Sequence, residues 1–232
     1  MKNTFAGVTE GLTDQFVIGN ILDGYFDSDL DVNWLQPLTD TTDANRSSNY
    51  GGWNQVLEYC RSPDFKEAFQ FNEYIIIQID TDVSEEKHYD VPHQDKNNRK
   101  FNSEQLIEKV IEKFKTIIGE EFYNKYQERI IFAITVHCIE CWLLPLFPTN
   151  IKIKKPIITN CLFKINEALA KKGEKALDRN NEKTTNYYHK ISSKYRNNRT
   201  LLSLYKENPS FKIFIEEIEK RNITIERDEE EN

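Results

Sequence analysis

Thr4–Ile21, TFAGVTEGLTDQFVIGNI, is the stretch whose reading decides the fold. Its apolar residues Phe5, Ala6 and Val8 stop at Glu10–Gly11. Phe16, Val17, Ile21 and, just beyond, Leu22 then recur at helical spacing. The pattern predicts a buried strand, a tight glycine turn and a helix. Ligands of open α/β sheets bind outside the carboxyl ends of the strands. A carboxylate at Glu10, with Asp14 one turn into the helix, is therefore placed for chemistry rather than for packing.

Working outward, Val32–Leu38, VNWLQPL, predicts a second strand, with Pro37 at its end or on an edge. Thr39–Gly52 is a polar loop closed by Gly51–Gly52, and Trp53–Cys60 and Pro63–Phe69 read as helical. Tyr74–Asp82, YIIIQIDTD, is a third apolar strand ending in Asp80-Thr81-Asp82, whose two acids point to the same side if the strand continues. Val83–Lys100 is a long polar loop, and Ser103–Ile118 is an amphipathic helix capped by Asn102 or Ser103. Arg129–Val136, RIIFAITV, is the next buried strand. Strands alternating with helices imply an α/β fold with a mostly parallel sheet flanked by helices. After the proline-punctuated stretch that follows, helices are expected at 157–171, 184–195, 200–206 and 210–221. The expected organisation is an α/β domain over residues 1–148 and a basic helical appendage with an acidic tail over 149–232.

The net charge of −7 is unevenly spread. Residues 1–95 carry 18 acidic and 5 basic side chains, whereas 151–206 carry 4 acidic and 14 basic ones. The overall balance argues against nucleic acid, but the distribution argues for it. The polar N-terminus lacks the apolar core of a signal peptide, and no apolar run approaches the ~20 residues of a membrane helix. With four cysteines (Cys60, Cys138, Cys141, Cys161), no disulfide framework is expected, and the protein reads as reduced and cytoplasmic.

Glu10, Asp14, Asp80 and Asp82 are the candidate chemistry. Clustered carboxylates repel one another and stay ionised together only when a cation neutralises them. Oxygen ligands suit Mg²⁺ or Mn²⁺ rather than zinc. Two bland alternatives stand beside this: a solvated strand-end Glu10, and an Asp14 that only faces the helix dipole. Glu85 and Glu86 read as solvated loop charges, and His88 and His93 as surface residues. Cys138-x-x-Cys141 beside His137 is one pair where structural zinc needs two, so these cysteines read as buried apolar residues. No Walker loop or Ser/His/Asp motif is present, so ATP hydrolysis is not expected of this chain. Thr184–Arg199 interleaves Tyr187, Tyr188 and Tyr195 with Lys190, Lys194, Arg196 and Arg199. Cations and aromatics in that mixture suit phosphates and stacked bases, although an amphipathic helix with half-buried tyrosines gives the same pattern.

Glu10-Gly11 with Asp14 after a first strand, and Asp80-x-Asp82 after a later one, resemble the TOPRIM domain shared by topoisomerases, primases and OLD-type nucleases. Ile139-Glu140-Cys141-Trp142 resembles the third acidic stretch of OLD-like proteins. Asn208-Pro209-Ser210-Phe211 is similar to the ends of standalone TOPRIM-like proteins of the DUF4276 group. The resemblance implies a metal-dependent nuclease acting on DNA or RNA, tRNA included. It implies Glu10 as general acid/base, Asp80 and Asp82 as catalytic metal ligands, Asp14 as a ligand or its support, and Glu140 at a second metal. It further implies an antiphage effector or toxin, like that of the PARIS system, working with a separate ABC-type ATPase. A homodimer is left open, as is a non-catalytic adaptor that binds nucleic acid or the ATPase.

Overall fold

The computed structural model describes residues 3–38, 51–147, 159–178 and 185–225. β1 (Asn3–Val8), β2 (Val32–Gln36), β3 (Asn72–Asp80) and β4 (Ile130–Thr135) form one sheet in the order β2-β1-β3-β4, with every pairing parallel. All four strands fall where the sequence predicts them. β2 stops before Pro37, which has no amide hydrogen for the ladder. Val8 pairs with Ile77, while β3 runs on until Asp80 lies beside Thr135 of β4. The carboxyl ends are thus staggered, and Glu10 emerges level with the last turn of the β3 pleat.

Alternation sorts the sheet into two apolar faces. Ala6, Val8, Ile75, Ile77, Ile79, Ile130, Phe132 and Ile134 face one core. That core is completed by α2 (Trp53–Arg61), α3 (Pro63–Ala68), α4 (Ser103–Ile118) and α5 (Glu120–Tyr126). Asn102 caps α4 with a reciprocal pair: it accepts from the Gln105 amide at 2.9 Å, and the Gln105 side chain accepts from the Asn102 amide at 3.1 Å. Phe5, Ile76, Ile131 and Ala133 face the other core, covered by α1 (Leu12–Phe26). The same core takes in α6 (Glu140–Leu143), α7 (Cys161–Lys171), α8 (Thr185–Ser192), α9 (Asn198–Leu204) and α10 (Pro209–Glu219). Helices on either side of the expected boundary at residue 148 therefore share one core with the sheet.

The Asn-Pro-Ser-Phe stretch explains how α10 is seated. Asn208 accepts from the Phe211 amide at 3.0 Å and donates to the Cys141 carbonyl at 3.2 Å. Pro209 opens the helix, where no amide donor is needed. The Ser210 hydroxyl takes hydrogen bonds from the Trp142 indole at 2.8 Å and the Val136 amide at 3.2 Å. Trp142, fully buried, then stacks on Phe211 and Phe214 with centroids 4.9 and 5.2 Å apart. α1 and α8 are joined by Asn20, whose amide donates to Ser192 Oγ at 2.7 Å. A Cβ on Gly24 of α1 would lie 1.7 Å from the Tyr195 carbonyl oxygen, so only glycine permits this approach.

Three expectations are corrected. Cys141 and Cys161 form a disulfide that joins α6 to α7, where no bridge was expected. Cys60 and Cys138, outside the disulfide, are buried as anticipated. The strand carrying Asp80 ends at that residue, so the period of two lapses and Asp82 is exposed while Asp80 is buried. The expected helix over 184–195 gives way at Ser193–Arg196 to a 3-10 turn. That turn swings Tyr195 into the core, where its hydroxyl donates to the Trp142 carbonyl. The acidic tail at Glu229–Glu231 and most of the 39–52 loop lie outside the described residues.

Candidate active site

The carboxyl ends of β1 and β3 are tied together through their own acids. The Asp80 amide donates to Glu10 Oε1 at 2.6 Å, and the Glu10 amide donates to Gln78 Oε1 at 3.0 Å. Gln78 Nε2 in turn donates to Asp80 Oδ1 at 3.0 Å, and the Thr135 hydroxyl donates to the same oxygen. Four residues from three adjacent strand ends thus form one network around two carboxylates. The backbone of Glu10 is fixed from the far side, since its carbonyl accepts from the Gly52 amide at 2.7 Å. A Cβ on Gly51 would fall 2.4 Å from that carbonyl oxygen, and Gly52 has a φ of 101°. The glycine pair therefore lets the start of α2 press against the site.

Asp82 is placed by the β4 end. The His137 carbonyl accepts from both the Thr81 and Asp82 amides at 3.0 Å, and the His137 amide donates to Thr81 Oγ1 at 2.9 Å. His137 reaches this position with a φ of 69°, a left-handed conformation that a non-glycine residue adopts at some cost. Burial, and then the neighbouring His93, hold its imidazole below the usual histidine range.

The polar loop after β3 is built onto the site. Tyr89 is fully buried, stacks on Trp53 at 5.6 Å and donates from its hydroxyl to the Asp80 carbonyl at 3.0 Å. Burial pushes its phenol well above the ordinary value, and the charges of Glu10, Asp80 and Asp82 add to that. His93 Nε2 lies 2.8 Å from the Thr81 carbonyl and 2.9 Å from Ser84 Oγ, so it stitches the loop rather than standing on the surface. His88, Glu85 and Glu86 are exposed, and Glu85 accepts from the His93 amide.

The chain matches no family model, no curated protein and no solved structure.

Two further acids sit on helices that pack on the Phe5–Ile76–Ile131 core. Asp14 is buried in the first turn of α1, its carboxylate 3.2 Å from where a Gly11 Cβ would stand. Glu140 is wholly buried at the start of α6 and accepts from the Tyr188 hydroxyl at 2.6 Å. Glu10 and Asp80 are thus joined at adjacent strand ends, Asp82 is exposed two residues further on, and Glu140 is anchored to α8. The donor set, carboxylate oxygens at strand ends, fits the chemistry of a hard divalent cation. Among the described residues, no three His, Cys, Asp or Glu side chains form a ready coordination group. The cause is visible for two of them: Glu10 is turned onto an amide and Asp80 onto Gln78 and Thr135.

Sequence reasoning missed Gln78, Tyr89 and Thr135, and it read Tyr188 as part of the basic segment rather than as the partner of Glu140. Gln78 carried a signal, being a polar side chain within an isoleucine run two residues before an acid. Of the basic candidates, Arg196 forms ion pairs with Asp23 and Asp29, and Arg199 is exposed on α9. Lys190 and Lys194 are exposed, with the Tyr187 ring under Lys190 at 5.8 Å. Tyr195 is withdrawn from any surface role by its burial.

Proposed function

We propose that the chain is a TOPRIM-like, metal-dependent nuclease that cleaves phosphodiester bonds of DNA or RNA. The observation that carries the reading is the Asp80 amide-to-Glu10 carboxylate bond, which joins two acids at the carboxyl ends of adjacent parallel strands. That is where α/β sheets present their ligands. Glu10, Asp80 and Asp82 would hold the cation, with Asp14 and Glu140 as further acids on the same edge of the sheet. A divalent cation there supplies Lewis-acid polarisation of a phosphodiester oxygen. The chain's own residues orient and exchange protons. Glu10 Oε1, released from the Asp80 amide, moves a proton at the reacting oxygen. Gln78 and Thr135 fix the orientation of the Asp80 carboxylate by donating to it, and Tyr89 holds the Asp80 backbone.

The test is cleavage of labelled single- and double-stranded DNA and of RNA by the purified chain, with Mg²⁺ or Mn²⁺, alone and with candidate ATPase partners. Glu10→Gln keeps an acceptor for the Asp80 amide, so the fold should persist while cleavage falls by about 100-fold or more. Undiminished cutting by that variant refutes the reading. An effector role in antiphage defence, acting with a separate ABC-type ATPase, is the biological setting this activity suits.

One observation favours a second reading. Asp80 is so fully engaged by Gln78 and Thr135 that it also suits a structural strand-end lock. On that reading the chain is a non-catalytic adaptor for nucleic acid or for an ATPase, and no divalent ion elicits cleavage.

A further inference from the structure

A cavity of about 550 Å³ opens beside α7 and α8, away from the Glu10–Asp80 network. Its floor is Phe147, which is 3% exposed. Lys172 and Lys175 reach it from the end of α7, and Lys190 and Lys194 from α8 and the turn after it. Two of these ammonium groups sit over the one Phe147 ring, Lys172 at 5.6 Å and Lys194 at 5.7 Å from its centroid. Among the described residues the cavity has one acid in its lining, Glu174, and the Tyr187 hydroxyl donates to that carboxylate at 2.6 Å. This bond and the nearby lysines hold Glu174 below the usual carboxylate range. Among the described residues, none of the four lysines is in an ion pair. Four like charges from two separate elements thus converge on one concavity with an aromatic floor, and among the described residues of the lining one carboxylate, Glu174, faces them.

We propose that this lysine-lined cavity binds adjacent phosphates of a single-stranded nucleic acid, with Phe147 and Tyr187 offering apolar surface to its sugars and bases. Lysine is a compact point charge that meets phosphate oxygens without demanding a fixed geometry. The volume lies within the range of ordinary ligand pockets. α8 also connects the cavity to the acids: Tyr187 and Lys190 line it while Tyr188 faces Glu140. The choice of a strand as occupant rests on the nucleic-acid reading above. The residues are not those of the Glu10–Asp80 network, so the two readings fail separately.

The experiment measures anisotropy of a labelled single-stranded oligonucleotide against the full chain in EDTA, across a salt series. Lys172→Gln/Lys194→Gln should weaken binding at least about tenfold and reduce the salt slope by about 1.4, at roughly 0.7 per phosphate contact for single strands. Lys66→Gln/Lys125→Gln, which removes two exposed cations on α3 and α5 outside the cavity, should bind within about twofold of the parent. Circular dichroism confirms that each variant is folded. Unchanged binding by the cavity double variant overturns the proposal, as does an equal loss with Lys66→Gln/Lys125→Gln, which would reduce the effect to net charge. Lysine-dependent binding of ATP with none of the oligonucleotide also overturns it, in favour of a free nucleotide. Failure of the nuclease reading shows elsewhere, in cleavage with Mg²⁺ by Glu10→Gln, and leaves binding in EDTA untouched.

Discussion

Asp80 is held by donors that do not depend on its charge, and this makes it a clean probe. Asp80→Asn keeps the carbonyl oxygen that Gln78 Nε2 and the Thr135 hydroxyl address. The melting temperature should move by the equivalent of less than about 1 kcal/mol, while cleavage drops about 100-fold. Tyr188→Phe is the opposite case. It removes a hydroxyl from the wholly buried Glu140 carboxylate and should cost about 1–3 kcal/mol by chemical denaturation. At this scale the sequence was legible for acids that follow apolar strands, because a charge at a strand end stands out against its surroundings. Tyr89, Thr135 and Gln78 were not legible as site residues. Tyr89 is delivered by loop closure and Thr135 by register between β3 and β4, neither of which any local pattern encodes. Nor does cysteine spacing encode the choice of Cys161, rather than Cys138, as the partner of Cys141.

Elements were more readable than residues. Four short segments read as strands became four strands, and the Asn102 cap marked the start of α4. The misreading of Tyr195 has a definite origin. An interleaved tyrosine–lysine segment states which residues alternate but not where the helix changes pitch, and the 3-10 turn after α8 rotates the last tyrosine inward. Asn208 offers a test of how an element is seated. It caps α10 and also reaches the Cys141 carbonyl, so Asn208→Ala should lower stability by about 1–2 kcal/mol, read from denaturant midpoints. Asn208→Asp, which retains the cap but loses the amide donor to Cys141, should recover part of that loss.

The whole molecule is a sheet whose second face is covered by α1 and α6 together with helices lying beyond residue 159. A fragment ending at 148 would uncover Trp142, which stacks on Phe211 and Phe214, and the α1 surface that packs on α8. It should therefore aggregate rather than melt cooperatively, as scattering during purification would show, whereas the full chain should unfold in one transition. The Cys141–Cys161 bridge closes a span of 20 residues, which in the chain-entropy account corresponds to about 3 kcal/mol. Cys161→Ser should lose roughly that much, seen as a lower urea midpoint with an unchanged slope.

Cys60 and Cys138 lie in different cores, one under the α2–α5 layer and one under the C-terminal helices. Burial keeps the Cys60 thiol in its unreactive protonated form. A maleimide reagent must therefore wait for each layer to lift. The two labelling rates, resolved by peptide mass, become separate stopwatches for breathing on the two sides of the sheet.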